Sequence, residues 1–156
     1  MQSTPSKPAA APKALRVLFP ALGKLCCVAL AVFVAATTIF GKLPAEAQYS
    51  IALTLSMVAV FLLKPGVFHG NDELTMRMAL VNSMWILAAL GTGGYYLMNY
   101  YEIAAFREGI PNTADLICYA IGTFVVVEAA RRVEGWVLVG IVIAAFLYLA
   151  YGHWMP

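Results

Sequence analysis

Four stretches of this chain, residues 25–41, 47–63, 78–101 and 135–156, each run for about the thickness of a bilayer without a charged side chain. A helix needs about 20 such residues to cross about 30 Å of hydrocarbon. The rest of the composition leaves little room for a water-soluble alternative. Of the 156 residues, 62% are hydrophobic and only 12% charged, against roughly a quarter charged in an ordinary soluble domain. A soluble core of this size would lack a polar skin. The sequence therefore predicts an all-α integral membrane protein, a bundle of four to five transmembrane helices. The segments fall at about 25–41, 47–63, 78–101, 115–132 and 135–153, forming one transmembrane domain over residues 25–156.

The segment at 115–132 decides between four and five. Its uncharged part, Leu116 to Val127, covers only about 18 Å at the helical rise. Pro111, Asn112 and Thr113 nevertheless supply a helix start, Asp115 suits a first turn, and the helix can continue through Glu128 to Arg132. Arginine stems lie along hydrocarbon while their guanidinium groups reach the headgroups, so a span ending in two arginines is short by count. Charge placement favours the crossing. With five spans and a cytoplasmic N-terminus, the inside holds Lys7, Lys13, Arg16, Lys24, Lys64, Arg77, Arg131 and Arg132 and the outside holds Lys42 and Arg107. Without that crossing Arg131 and Arg132 move outside and most of the bias disappears.

Residues 1–24 are rich in Pro and Ala, carry Lys7, Lys13, Arg16 and Lys24, and contain no acidic residue. They read as a disordered, basic cytoplasmic lead-in at a membrane surface. A second reading of the same region is a secretory signal, with Ala45-Glu46-Ala47 as its cleavage site before Gln48. The two loops, 64–77 and 102–114, are too short to be domains of their own.

Chemistry-bearing residues are sparse. Cys26, Cys27 and Cys118 lie in apolar runs without CxxC spacing or a flanking histidine and read as packing residues. His69 and His153 fall on opposite sides of the expected membrane, which argues against a shared haem or metal site. No nucleotide loop, nucleophile motif, metal cluster or basic nucleic-acid face stands out. The expectation is a non-enzyme with no cofactor in this chain and no nucleic-acid partner. The third run holds Asn82, Ser83, Thr92 and Asn99 with Gly91, Gly93 and Gly94. Small residues and amides favour close helix packing, for which Asn82, Ser83, Gly91 and Gly94 are the candidates, and a substrate path is the competing account.

The stretch VEAARRVEGW, Val127 to Trp136, concentrates charge between two greasy runs. Glu128 stands three residues before Arg131 and four before Arg132, the favourable order for helical ion pairs. Gly135 follows as a helix breaker. Glu128, Arg131, Arg132 and Gly135 are thus expected to form a turn at the membrane interface. It would be anchored by lipid or docked on a partner subunit, with a proton relay built on Glu128 as a third reading.

Asp115 to Pro156 resembles a pattern in TRAP (tripartite ATP-independent periplasmic) transporters of the TAXI type. That pattern is an aspartate opening an apolar helix, an L-E-A-x-R-R turn, a Gly, and an apolar helix ending in Tyr-x-x-x-Gly and a proline. The matching positions are Asp115, Glu128, Ala129, Arg131, Arg132, Gly135, Tyr148, Gly152 and Pro156, with Val127 in place of Leu and Ala130 where Thr is common. The resemblance covers about a quarter of the chain. It implies a small, Q-type membrane subunit in a bacterial inner membrane, partnered by a large M-type transmembrane subunit and a periplasmic substrate-binding protein. In such a system the large subunit carries organic anions such as dicarboxylates by an elevator motion, coupled to sodium or protons. The small subunit braces it among the membrane lipids and helps dock the binding protein. Two rivals stand beside this expectation: an autonomous small homo-oligomeric channel or exporter, and the membrane anchor of a redox enzyme.

Overall fold

The computed structural model describes residues 12–41, 43–64, 76–107 and 109–151. These form five helices: α1 (Lys13–Phe40), α2 (Ala45–Leu63), α3 (Met76–Phe106), α4 (Thr113–Glu134) and α5 (Trp136–Tyr151), with no strand among the described residues. Three of them, α1, α2 and α4, are long and apolar enough to cross a membrane. The sequence predicts four to five crossings, and the other two helices fall short for different reasons. At 31 residues α3 is the longest helix, but its Asn, Ser, Thr, Gly and Tyr side chains dilute its apolarity. By contrast α5 is apolar almost throughout, yet its 16 residues rise only about 24 Å.

The helix boundaries also correct the reading of the N-terminal region. Residues 1–24 are expected to be disordered, but helix begins at Lys13 and passes through Pro20 without ending. Pro12 occupies the N-cap position, where a missing amide hydrogen costs nothing, and Lys13, Ala14 and Leu15 are good helix formers. Leu15 and Phe19 then gain core contacts that reward the order. Residues 1–11, including Lys7, lie outside the described residues, as do Lys42, His69, Gly152, His153 and Pro156.

The helices pack in chain order, α1 on α2, α2 on α3, α3 on α4 and α4 on α5, with α2 also meeting α4. Antiparallel neighbours place the chain's charges at two ends. At one end Gly23 of α1 lies against Leu62 and Leu63 of α2, and Arg132 and Lys64 join α4 to the end of α2. This end gathers Lys13, Arg16, Lys24, Lys64, Arg77, Arg131 and Arg132. At the other end the Gln48 amide donates to Thr37 Oγ1 at 3.0 Å, closing the α1–α2 turn. Glu46, Tyr96 and Arg107 border one cavity there. Arg107 is the sole basic residue of that end among the described residues.

The core, built on Met57, Val58, Phe61, Leu62, Val125 and Ala129, lies towards the arginine-rich end. Elsewhere large apolar side chains stand exposed on every helix, among them Ile39, Leu53, Leu87, Met98, Phe124 and Phe146. A surface this apolar suits lipid and not water. Hydroxyls are handled locally. Thr37, Thr38, Thr54, Ser56, Ser83, Thr92 and Thr123 each donate to the carbonyl four residues back at 2.7–3.0 Å. α1, α2, α3 and α4 thereby satisfy these hydroxyls within the helix, as an apolar setting requires.

Candidate functional site: the arginine knot and the aspartate clasp

At the end of α4 the helical spacing brings both arginines onto Glu128. Arg131 grips its carboxylate with two donors, Nε to Oε2 and Nη2 to Oε1, each at 2.7 Å. Arg132 Nε adds a bond to Oε1 at 2.8 Å. Such forked pairs are shorter and stronger than neutral hydrogen bonds. Two guanidinium groups against one carboxylate leave the knot with one net positive charge.

The two arginines then diverge. Arg131 turns towards α5, its guanidinium 5.3 Å from the Trp136 ring centre. Arg132 turns inward, and its side chain is only 2% exposed. Its Nη1 donates to Asn82 Oδ1 of α3 at 2.6 Å and to the Lys64 carbonyl at 3.3 Å, where α2 ends. The same guanidinium lies 4.8 Å from the centre of the Phe61 ring, which stacks on Trp85 at 6.0 Å. Lys64 Nζ returns a bond to the Val133 carbonyl at 3.4 Å. One side chain thus meets α2, α3 and α4 together.

This alters the role expected for the turn. Arg132, read from the sequence as an interface residue facing lipid or a partner, is an interior crosslink within the chain. Arg131 and Trp136 remain at the surface side of the knot. Gly135 behaves as expected: with φ at +83°, a conformation that favours glycine, it ends α4 while its amide donates to the Arg131 carbonyl at 2.9 Å.

The helix-packing candidates divide likewise. Asn82 is 1% exposed and does bond across helices. Ser83 is exposed, and among the described residues its hydroxyl bonds only the Ala79 carbonyl of its own helix. A side chain at Gly91 or Gly94 would meet nothing within 4 Å. The close approach is at Gly93, where a Cβ would collide with the Thr54 side chain of α2. Gly91 and Gly94, three residues apart, share one face of α3 while Gly93 points to another, and only the packing of α2 selects between the two faces.

A second polar cluster holds the opposite end. Asn112 caps α4 in a capping box, its backbone N–H donating to Asp115 Oδ2 at 3.0 Å. The buried Asp115 also accepts from Tyr95 Oη at 2.6 Å and from Arg107 Nη1 at 3.4 Å. Arg107 in turn bonds Glu102 at 2.7 Å. Sequence reasoning found the cap and missed Tyr95 and Arg107. Tyr95 lies twenty residues away on another helix, with no local signal to mark it.

Two open clefts flank these clusters. One, of about 450 Å³, lies between α2, α3 and α4 and is lined mainly by apolar surface with Ser50, Thr54 and Tyr119. The other, of about 810 Å³, lies between α3, α4 and α5 beside the arginine knot. Among the described residues, no group of three or more His, Cys, Asp and Glu side chains is placed to hold a metal ion. No protein-family model, curated protein or solved structure matches this chain.

Proposed function

We propose that this chain is the small membrane subunit of a binding-protein-dependent secondary transporter of the TRAP type, a static scaffold beside a large elevator subunit. The reading rests on the resemblance from Asp115 to Pro156. One structural observation supports it most: the motif residue Arg132 ties α2, α3 and α4 into one body through Phe61, Lys64 and Asn82. A scaffold must resist the tilting force of a moving neighbour, and a charged crosslink at a helix end stiffens a bundle whose outer surface offers only weak lipid contacts. At the other end of α4 the motif residue Asp115 ties that helix to α3.

In this reading all five helices sit in a bacterial inner membrane, with the N-terminus and the arginine-rich end cytoplasmic. The gathering of seven basic residues at that end supports the orientation. The outer end, with Asp115 and Arg107, faces the periplasmic binding protein. The large subunit carries the cargo, organic anions such as dicarboxylates, together with the coupling sodium ion or proton. Among the described helices α5 packs on α4 alone, and it offers its apolar surface to the large subunit.

The test is co-expression of the tagged chain with the large membrane subunit from the same genome, followed by purification in mild detergent. A stoichiometric complex that transports only when the binding protein is added is the expected result. Solute movement by the purified chain alone in liposomes would overturn the reading in favour of an autonomous channel.

A further inference from the structure

We infer that the cleft between α3, α4 and α5 is a binding site for an anionic phospholipid, with the phosphate at its arginine-rich mouth and the acyl chains along its apolar floor. This inference needs only the membrane setting and does not depend on the subunit reading.

The cleft has the polarity gradient of such a lipid. Its mouth is formed by Arg77 at the start of α3, Arg131 near the end of α4 and Trp136 at the start of α5. All three helices therefore present their charged or amphipathic residue at the same depth. Going inward, α3 contributes Val81 and Trp85, α4 contributes Val127 and Phe124, and α5 contributes Val139 and Ile143. Seven or eight residues of helix separate mouth from floor, about 10–12 Å at the helical rise. The volume of about 810 Å³ lies within the range of ligand-binding clefts, enough to hold the headgroup and the upper part of the acyl chains.

Charge selects the class of lipid. Among the described residues Glu128 is the acidic residue lining the cleft, and it is shared between Arg131 and Arg132. The knot retains one positive charge, and Arg77 adds a second. Among the described residues Arg77 is exposed and makes no hydrogen bond or ion pair. Glu128, Arg131, Arg132 and Arg77 thus carry a net charge of two positives, which a zwitterionic headgroup meets poorly and an anionic one meets well. Asn82 also lines the cleft, and its Nδ2 is buried with no hydrogen-bond partner among the described residues. Beside the bound Arg132 this leaves an unused donor one to two turns inside the mouth, the depth at which a phospholipid carries its ester carbonyls. A transmembrane helix of a partner would supply neither the phosphate nor those acceptors.

The full-length protein, purified in detergent, would be mixed with phosphatidylglycerol or phosphatidylcholine and examined by native mass spectrometry. Phosphatidylglycerol should remain bound at lower lipid concentration. Arg77→Gln should weaken its retention about fivefold, the scale of one basic residue at a lipid surface. Lys24→Gln, which changes a charge at the same end but outside the cleft, should leave retention unchanged. Val81→Trp, which fills the cleft and removes no charge, should abolish retention while circular dichroism keeps the helical signal. Equal retention of the two lipids, or no change in Arg77→Gln and Val81→Trp, would overturn the site. So would density for a partner helix, and none for lipid, in this cleft of a purified complex. Arg77 bonds nothing in the described fold, so its substitution tests binding and not folding.

Discussion

Arg132 Nη1 lies 2.6 Å from Asn82 Oδ1, and both side chains are buried where α4 crosses α3. Fifty residues apart in the chain, the two form a charge-assisted bond whose other guanidinium partners are Glu128 and the end of α2. Removing one member of such a pair leaves the other desolvated and unmatched.

Arg132→Ala should therefore lower stability by about 3–5 kcal/mol, the range for breaking a buried ion pair, read by unfolding in a denaturing detergent titration. Asn82→Ala should cost about 1–3 kcal/mol, since Arg132 keeps its other acceptors. The double variant should be less damaged than the sum of the two, with a coupling of about 0.5–3 kcal/mol. Strict additivity would mean that the two side chains do not interact.

Gly93→Ala should destabilise by about 1–3 kcal/mol through overpacking against Thr54. Gly91→Ala and Gly94→Ala meet open space and should stay within about 0.5 kcal/mol of the parent or gain slightly from better helix propensity. Thr54→Ala should recover part of the Gly93→Ala loss. Thermal melts of the four variants, run side by side, separate the contact glycine from its neighbours.

At the far end, Asp115→Ala removes the acceptor shared by the Asn112 amide, Tyr95 and Arg107. Fraying of the first turn of α4 should follow, visible as faster hydrogen exchange over residues 112–117. The loss in stability should be larger than for Tyr95→Phe, where Asp115 keeps two donors. A cap alone contributes about 1 kcal/mol, and the stranded tyrosine hydroxyl adds about 1–3 kcal/mol. A Tyr95→Phe variant as stable as the parent would mean that the clasp contributes nothing beyond the cap, and equal losses in the two variants that the cap adds nothing beyond Tyr95.

Orientation is read by labelling. In a background with Cys26, Cys27 and Cys118 replaced by serine, Ile110→Cys in the exposed α3–α4 turn should react with an impermeant thiol reagent on intact cells. Glu134→Cys, beside the knot, should react only after permeabilisation. The reverse pattern would invert the proposed topology.

Much of the fold was legible in the sequence because it rests on local signals. The length of uncharged runs marks the helices, Asn112 with Asp115 marks the start of α4, and Gly135 marks the break before α5. The pairing of Glu128 with Arg131 and Arg132 follows from helical spacing alone. The lead-in was misread because the Pro and Ala content of residues 1–24 conceals Leu15 and Phe19, whose order depends on contacts with other helices. The Asp115 clasp was half visible: the cap is encoded three residues away, while Tyr95 and Arg107 come from elsewhere in the chain.

The chain by itself determined that it is helical, greasy on its outer surface and basic at one end, since these depend on residue type and spacing. Only the tertiary structure decided that Arg132 points inward while Arg131 points to α5, that Gly93 and not Gly91 or Gly94 is the contact, and that a charged cleft opens beside the knot. In a helix that is apolar on all sides no hydrophobic stripe marks the buried face. Which face meets a neighbour is then settled by shape and by the few polar partners that find one another across the bundle.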